Sequence, residues 1–447
     1  MINKPNSKAQ SRWVDFPFAP GKWRFFYGWF IVLVATIGII ASIPGQTIGV
    51  GVFTDSFIEI LGLTRNQLSL AYMYGTVISS FLLPLAGTVT DKVGTRVMVV
   101  ISSIGLGISL VVLSLADHIP AITANITATI MLMAFGFLLI RFFGQGCLTM
   151  VSRITIAKWF NHRRGLATGI ANIAVAYSFN ASPALLNYFV ENWGWQSSYL
   201  LLAAIVGIGM SVIGWLFYRD NPEQCGLVMD GRDDQLWVKK AQKRVPQIYH
   251  EFTRSEAIRT WAFWAFALAC AWQALYMTAL SFHITSLGQE LGLSRSQSYA
   301  VFPVIGLVSV AVALIAGWLS DHIRLKWLLI VNVIFQIVTA AGQLDFSTTS
   351  GRILFIAGYG VSGGIFGLMM TIIWPRYFGR KHLGSISGLT TSILVFSSAI
   401  GPIFFSKMYD VTGSYKLVAL ISMAVPALLL IPSFLVKNPQ EKLRETV

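Results

Sequence analysis

Twelve hydrophobic stretches, most of them about 20 residues or longer, run along the chain between short polar segments, and a stretch of that length can cross a bilayer core as a helix. They fall at 26–52, 69–89, 97–116, 122–150, 166–190, 197–217, 261–286, 299–319, 327–344, 352–375, 384–406 and 415–436. Lipid offers no water to satisfy backbone N–H and C=O groups, so spanning segments are confined to helices and closed barrels. Runs this long read as helices, and the longest tilt or continue beyond the lipid. Composition agrees: of 447 residues, 55% are hydrophobic and only 12% charged, where a soluble chain carries about 25%. A soluble multidomain protein, a disordered chain and a small disulfide scaffold are excluded. The expected fold is an all-α membrane protein of twelve transmembrane helices.

The net charge is +14, from 33 Lys and Arg against 19 Asp and Glu. Placing both termini in the cytoplasm puts 27 of the basic residues on that side and five outside: Arg65, Arg295, Arg352, Lys407 and Lys416. The positive-inside rule accounts for such a split, and one missed helix would scramble it. The basic balance therefore reports topology, and no nucleic-acid partner is needed. An integral protein of a plasma or inner membrane is expected. Segment 1–22 is polar and basic, without the pattern of a cleaved signal peptide. Residues 219–259, with Pro222, Asp233-Asp234, Lys239-Lys240 and Pro246, read as a solvated cytoplasmic linker. The expected organisation is a cytoplasmic segment 1–25, a six-helix bundle 26–218, the linker 219–259, a second six-helix bundle 260–436 and a tail 437–447.

The two bundles are copies. Leu61-Gly62-Leu63-Thr64-Arg65-Asn66-Gln67 returns 230 residues later as Leu291-Gly292-Leu293-Ser294-Arg295-Ser296-Gln297. Gly87, Asp91 and Arg96 return at the same offset as Gly317, Asp321 and Lys326. Gly165, Gly169, Ser182-Pro183 and Gly194 return 219 residues on as Gly384, Gly388, Gly401-Pro402 and Gly413. Six helices per copy is an even number, so both copies enter the membrane the same way. They are related by a pseudo-two-fold axis along the membrane normal, with a site expected between them.

Several segments carry a family likeness. Gly87-Thr-Val-Thr-Asp91-Lys92-Val-Gly94-Thr-Arg96, Arg141-Phe-Phe-Gly144-Gln145-Gly146 and Trp159-Phe160-Asn-His-Arg163-Arg164-Gly165-Leu-Ala-Thr-Gly169 resemble the loop and helix signatures of the major facilitator superfamily. Tyr27-Gly28-Trp29, Tyr377-Phe378-Gly379 and Asp410-Val-Thr-Gly413-Ser414-Tyr415 are similar to its monocarboxylate transporter and oxalate/formate antiporter group. The resemblance implies alternating access between two rocking bundles, with helices 1, 4, 7 and 10 lining the cavity. It also implies that Asp91 and Asp321, at cytoplasmic helix ends, latch the inner side shut, with Arg96 and Lys326 as nearby partners. An anion is favoured at a helix N-terminus, which gives the latch a physical basis. The group's charged residue in helix 8 and the oxalate carrier's lysine in helix 11 have no counterpart here before Lys407.

Arg141 is the most informative single residue. It lies deep in the fourth span, where a cation costs about 2.5–3.5 kcal/mol on insertion scales and must face a cavity or a partner. Its planar fork of donors suits a carboxylate, and Gln145 stands one turn later on the same face. The expected substrate contact is Arg141, against a structural arginine satisfied by neighbouring helices. Gln46 in helix 1, Gln273 and Tyr276 in helix 7, and Asn172 in helix 5 are polar groups placed to line the cavity or to join helices by hydrogen bonds. One buried cation suits a monoanion better than a dianion.

The expected function is a secondary transporter for a small organic anion, a monocarboxylate by preference, with a co-transported proton or an exchanged counter-anion. Asp55, Glu59 and His283 near outer helix ends are the candidate proton carriers. The rivals are a carrier of an uncharged or zwitterionic solute and a transport-incompetent membrane sensor. An enzyme is disfavoured. Gly358-Tyr-Gly360-Val-Ser-Gly363 and Gly360-Val-Ser362-Gly-Gly364 imitate nucleotide and nucleophile motifs inside a predicted span, without the strand those motifs require. Cys147, Cys225 and Cys270 match no metal spacing, and no cofactor or metal is expected.

Overall fold

The computed structural model describes residues 15–231 and 248–444. Residues 1–14, the middle of the linker (232–247, with Asp233-Asp234, Lys239-Lys240 and Pro246) and 445–447 lie outside the described residues. Among the described residues the fold is built on twelve main helices, some of them interrupted. They are α1 (Gly28–Ala41), α2 (Arg65–Val93), α3 (Thr95–Ser114), α4 (Ile126–Trp159), α5 (Arg164–Trp193) and α6 (Trp195–Phe217) in the first half. The second half contains α7 (Trp261–Glu290), α8 (Val301–Ser320), α9 (Leu325–Leu344), α10 (Thr349–Phe378), α11 (Leu383–Thr412) and α12 (Lys416–Leu435).

Among the described residues, eleven helices are long and apolar enough to cross a membrane. The twelfth, α5, is 30 residues long, about 45 Å at 1.5 Å per residue. Asn172, Asn180, Asn187 and Asn192 set it apart. Packing against its neighbours compensates for its weaker apolarity: α5 lies along α8 of the other half.

The repeated heptapeptide has a local explanation. Gly62 and Gly292 both turn the chain in the left-handed region, at φ +61° and +73°, where a side chain is strained. Two residues on, Thr64 and Ser294 receive the N–H of Gln67 (3.3 Å) and Gln297 (3.2 Å) on their hydroxyls. The glutamine side chains return the bond to the N–H of Thr64 (2.8 Å) and Ser294 (2.9 Å). The motif is a tight turn followed by a capping box, and it starts a helix at the same point of each half.

The halves meet along two pairs of helices, α2 with α11 and α5 with α8. Both contacts rest on the repeated glycines. Gly87 faces Gly384 and Gly388, and Gly317 faces Gly165 and Gly169. A methyl carbon at Gly388 would stand 2.6 Å from the Leu83 carbonyl oxygen and 2.9 Å from the Gly87 Cα. Such backbone-to-backbone approach is how helices associate in lipid, which supplies no hydrophobic drive between them. The segment before α1 and those flanking the linker share one end of the bundle with the 2–3, 4–5, 8–9 and 10–11 connections. Arg96 and Arg219 both donate to the Phe16 carbonyl, and Gln440 receives the N–H of Tyr249 and His250. We call it the basic end.

Gly388→Val should destabilise the protein by about 1–3 kcal/mol through overpacking. Gly209→Val, at a position with open space beside it, should stay within about 0.5 kcal/mol of the parent. Thermal unfolding in detergent compares the two.

Candidate functional site

The first helix does not run straight through. It stops at Ala41, passes through a tight turn at Ile43–Gly45 and an extended Gln46, and resumes at Thr47–Val52. Gly45 at the break presses on Gly144 of α4, where a methyl carbon would lie 2.8 Å from the Gly45 Cα. Opposite the break, α4 widens into a π-helical stretch over Arg141–Leu148. The break frees backbone carbonyls inside the protein, and Arg141 satisfies one of them. Its Nη1 donates to the Gly45 carbonyl (3.1 Å) and the Thr47 hydroxyl (3.3 Å). The guanidinium stands 5.2 Å from the centre of the Tyr72 ring, a cation–π contact. Arg141 is 1% exposed and is held by its neighbours. In this structure its bonds brace the broken helix. Its Nε and the Gln145 Oε1 are buried without hydrogen-bond partners. Gln46 donates to Ser42 (3.0 Å) and Thr149 (3.1 Å), tying the same break to α4.

A second arginine, three turns further along α4, occupies the space between the halves. Arg153 lines a narrow cleft between the halves, with room for little more than a water molecule, together with Met150, Ile154, Thr371, Trp374 and Thr390. Its Nη1 donates across the halves to the Gly367 carbonyl (2.7 Å) and the Thr371 hydroxyl (3.4 Å) of α10. No carboxylate pairs with it among the described residues. Asn172 of α5 packs against Gly367 itself: a methyl carbon there would lie 3.3 Å from its Nδ2, which is buried and unpartnered. Of the polar residues expected at the cavity, Asn172 therefore does reach the seam between the halves.

Gln273 and Tyr276 turn the other way, into the interior of the second half. Gln273 Oε1 accepts from Asn332 (2.9 Å) and Gln336 (3.3 Å) of α9, and the Tyr276 hydroxyl donates to Gln343 (2.6 Å). They join helices rather than line the cavity. His283 sits between the Tyr415 hydroxyl and the Pro402 carbonyl, both at 3.0 Å. A carbonyl only accepts, so Nε2 carries a proton in this arrangement. The pocket beside it, with Glu290 and Asp410, is at the end opposite the basic one.

At the basic end the two repeated aspartates cap helices of the opposite half. Asp91, at the end of α2, accepts from the N–H of Gly384 (2.6 Å) and Ser385 (2.7 Å) at the start of α11. Asp321, after α8, accepts from Gly165 (3.0 Å) and Leu166 (3.1 Å) at the start of α5. Each carboxylate occupies a helix N-terminus, where unsatisfied N–H groups and the helix dipole favour negative charge. The cation that reinforces Asp321 is Arg376 of α10, which also donates to the Ser320 carbonyl. The partners expected beside the aspartates bind elsewhere: Arg96 donates to the Trp215 carbonyl (2.7 Å) and stacks on that ring, and Lys326 stands over Trp327. Both Arg153 and Arg376 escaped notice in the sequence because they stand near helix ends, among the cations that mark the loops.

The family model for the Major Facilitator Superfamily matches residues 25–402. The chain belongs to the major facilitator superfamily. It is 23% identical over 410 residues to the probable sulfoacetate transporter SauU of Cupriavidus necator, covering 87% of this chain and 90% of that one. It is 22% identical over 406 residues to monocarboxylate transporter 2 of Mus musculus, covering 87% of this chain and 80% of that one. Among solved structures, the proton:xylose symporter XylE bound to 6-bromo-6-deoxy-D-glucose superposes with a TM-score of 0.66 at 15% identity, covering 91% of this chain and 94% of that one. That likeness shows the fold alone. The protein is a transporter of this superfamily and not an enzyme.

Arg376→Leu leaves the buried Asp321 carboxylate without its cation, while Lys326→Gln removes a charge that neither aspartate cap uses. The first should raise labelling of a reporter cysteine at the basic end by about tenfold, the equivalent of roughly 1.4 kcal/mol. The second should leave it unchanged. Membrane-impermeant maleimide labelling reads both, and Asp321→Asn combined with Arg376→Leu checks that the protein still folds.

Proposed function

We propose that this transporter carries a small organic monoanion, a monocarboxylate by preference, by alternating access of a cavity between its two halves. The observation that carries the reading is Arg153: a guanidinium on the wall of that cavity, bonded to a neutral carbonyl and a hydroxyl and to no carboxylate among the described residues. A half-buried cation without a counter-charge is costly, and a visiting carboxylate supplies the missing charge through a forked pair of hydrogen bonds. The Asn172 amide, left without a partner beside Gly367, offers a further donor. Two relatives named for anionic cargo, sulfoacetate and monocarboxylates, support an organic anion at low identity, and the second supports the monoanion.

The rest of the cycle follows from the gate. With Asp91 and Asp321 seated on helices of the opposite half, the basic end is shut. Withdrawing them exposes the N-termini of α5 and α11 and opens the cavity there. In this reading the basic end is cytoplasmic, which the 27-to-5 distribution of Lys and Arg supports. A proton or a counter-anion accompanies the substrate, and the half-buried His283 is a candidate to bear the proton.

Uptake of radiolabelled L-lactate into proteoliposomes, with a panel of unlabelled acids as competitors, tests the cargo. Monoacids should compete better than oxalate, and Arg153→Gln should cut uptake at least tenfold. Stronger inhibition by oxalate, or full activity of Arg153→Gln, contradicts the reading. Asp91→Asn should shift accessibility toward the basic end and away from the opposite end; unchanged labelling at both ends removes the latch.

A further inference from the structure

Residues 219–259 read in the sequence as a solvated connector, yet three acids of this segment cap backbone N–H groups of the bundles. Asp220 accepts from the Thr95 hydroxyl (3.0 Å) and the Arg96 N–H (2.9 Å) at the start of α3. Asp230, 4% exposed, accepts from three successive N–H groups in the turn between α4 and α5: Asn161 (3.2 Å), His162 (3.0 Å) and Arg163 (3.1 Å). Glu251 accepts from the Lys381 N–H (2.8 Å) in the turn between α10 and α11. These two turns are equivalent in the two halves. Each leads into a helix whose first N–H groups seat a gate aspartate, Asp321 on α5 and Asp91 on α11. We propose that Asp230 and Glu251 are positioning residues for the gate. Each holds its turn in shape while the gate aspartate is away, so that the aspartate returns to a formed seat. The inference rests on the latch described above and is independent of the cargo.

The backbone at both docks is shaped for the carboxylate. Asp230 has φ +60°, in the left-handed region that a side chain enters at a cost. The fold accepts that cost where one carboxylate satisfies three N–H groups. At the other turn Gly379 has φ +87°, and a methyl carbon there would collide with the Glu251 carboxylate. Beside it the Phe252 N–H donates to the Phe378 carbonyl (2.9 Å), and Gln440 donates to the Tyr377 carbonyl (3.0 Å). The Tyr377-Phe378-Gly379 segment is thus where the end of the linker docks. Asp230 docks on the half it follows and Glu251 on the half it precedes, so neither contact has to break when the halves part. Both acids act on the difference between two states. With the basic end shut, the gate aspartate itself orders the seat. With it open, the linker acid alone does so, and without that acid the turn gains conformational entropy. Loss of a linker acid therefore favours the open basic end.

The test places a reporter by Ser387→Cys on the wall of the cleft, with Cys147, Cys225 and Cys270 replaced by alanine, in proteoliposomes. Membrane-impermeant maleimide is supplied from the basic end. Asp230→Gly removes the carboxylate and leaves the left-handed turn unstrained. It should raise the labelling rate about tenfold, and Asp230→Asn, which keeps an acceptor, should return it to within about threefold of the parent. The deciding readout is which seat each acid serves. Where Asp321→Ala with Arg376→Leu has already emptied the α5 seat, Asp230→Gly should add less than about twofold. In an Asp91→Asn background it should still add about tenfold, which also shows that labelling is below its ceiling. Glu251→Ala should give the crossed pattern, losing its effect beside Asp91→Asn and keeping it beside the Asp321→Ala pair. Equal effects in both backgrounds mean a general loss of stability and overturn the inference. Unchanged labelling of Asp230→Gly and Glu251→Ala in the parent overturns it too, and leaves the latch standing if Asp91→Asn alone speeds labelling. If Asp91→Asn and the Asp321→Ala pair both leave labelling unchanged, the latch falls and the inference with it.

Discussion

A polar group inside a lipid-embedded protein must find its partner within the protein, and this one requirement organises the molecule. Regular helix satisfies the backbone over most of the chain. Where α1 is interrupted, the requirement returns, and it is met by a side chain: Arg141 reaches the Gly45 carbonyl from a widened stretch of α4. The π-helical stretch, the Gly45–Gly144 approach and the Tyr72 ring are all parts of one solution. They let an irregular backbone sit at depth with the Gly45 carbonyl satisfied.

The same requirement explains why the seam between the halves combines glycine with carboxylate. Glycines let α2 approach α11, and α5 approach α8, closely enough for short side chains to cross. Asp91 and Asp321 then cross and satisfy N–H groups that begin the opposite helices. Both kinds of contact are reversible, because glycine surfaces do not interlock and a helix N-terminus can be rehydrated. A seam of interdigitated leucines would be harder to part. Stability of the closed state and ease of opening thus come from the same few residues, arranged twice by gene-level duplication visible in the sequence.

The sequence was most legible where chemistry repeats. The span count, the duplicated turn at Leu61 and Leu291, and the pairing of glycine with aspartate all recur in both halves, and repetition separates them from chance. The direction in which a side chain points around its helix was far less legible. Helices such as α7 are apolar on nearly every face, so no hydrophobic stripe orients them. Gln273 and Tyr276 could equally have faced the cavity; the amides of Asn332, Gln336 and Gln343 on α9 draw them inward instead. Arg141 stood out because it is isolated along the chain. Arg153 did not, because a cation a turn or two from a loop looks like a topology marker until the neighbouring helices are in place.

The asparagine-bearing α5 has a consequence for biogenesis. A nascent segment leaves the translocon for lipid according to its own partition free energy, and amide side chains weigh against departure. The other eleven segments are apolar enough to leave singly. The fifth gains from waiting beside the helices that pack along it, so membrane integration of the first half need not proceed strictly one helix at a time.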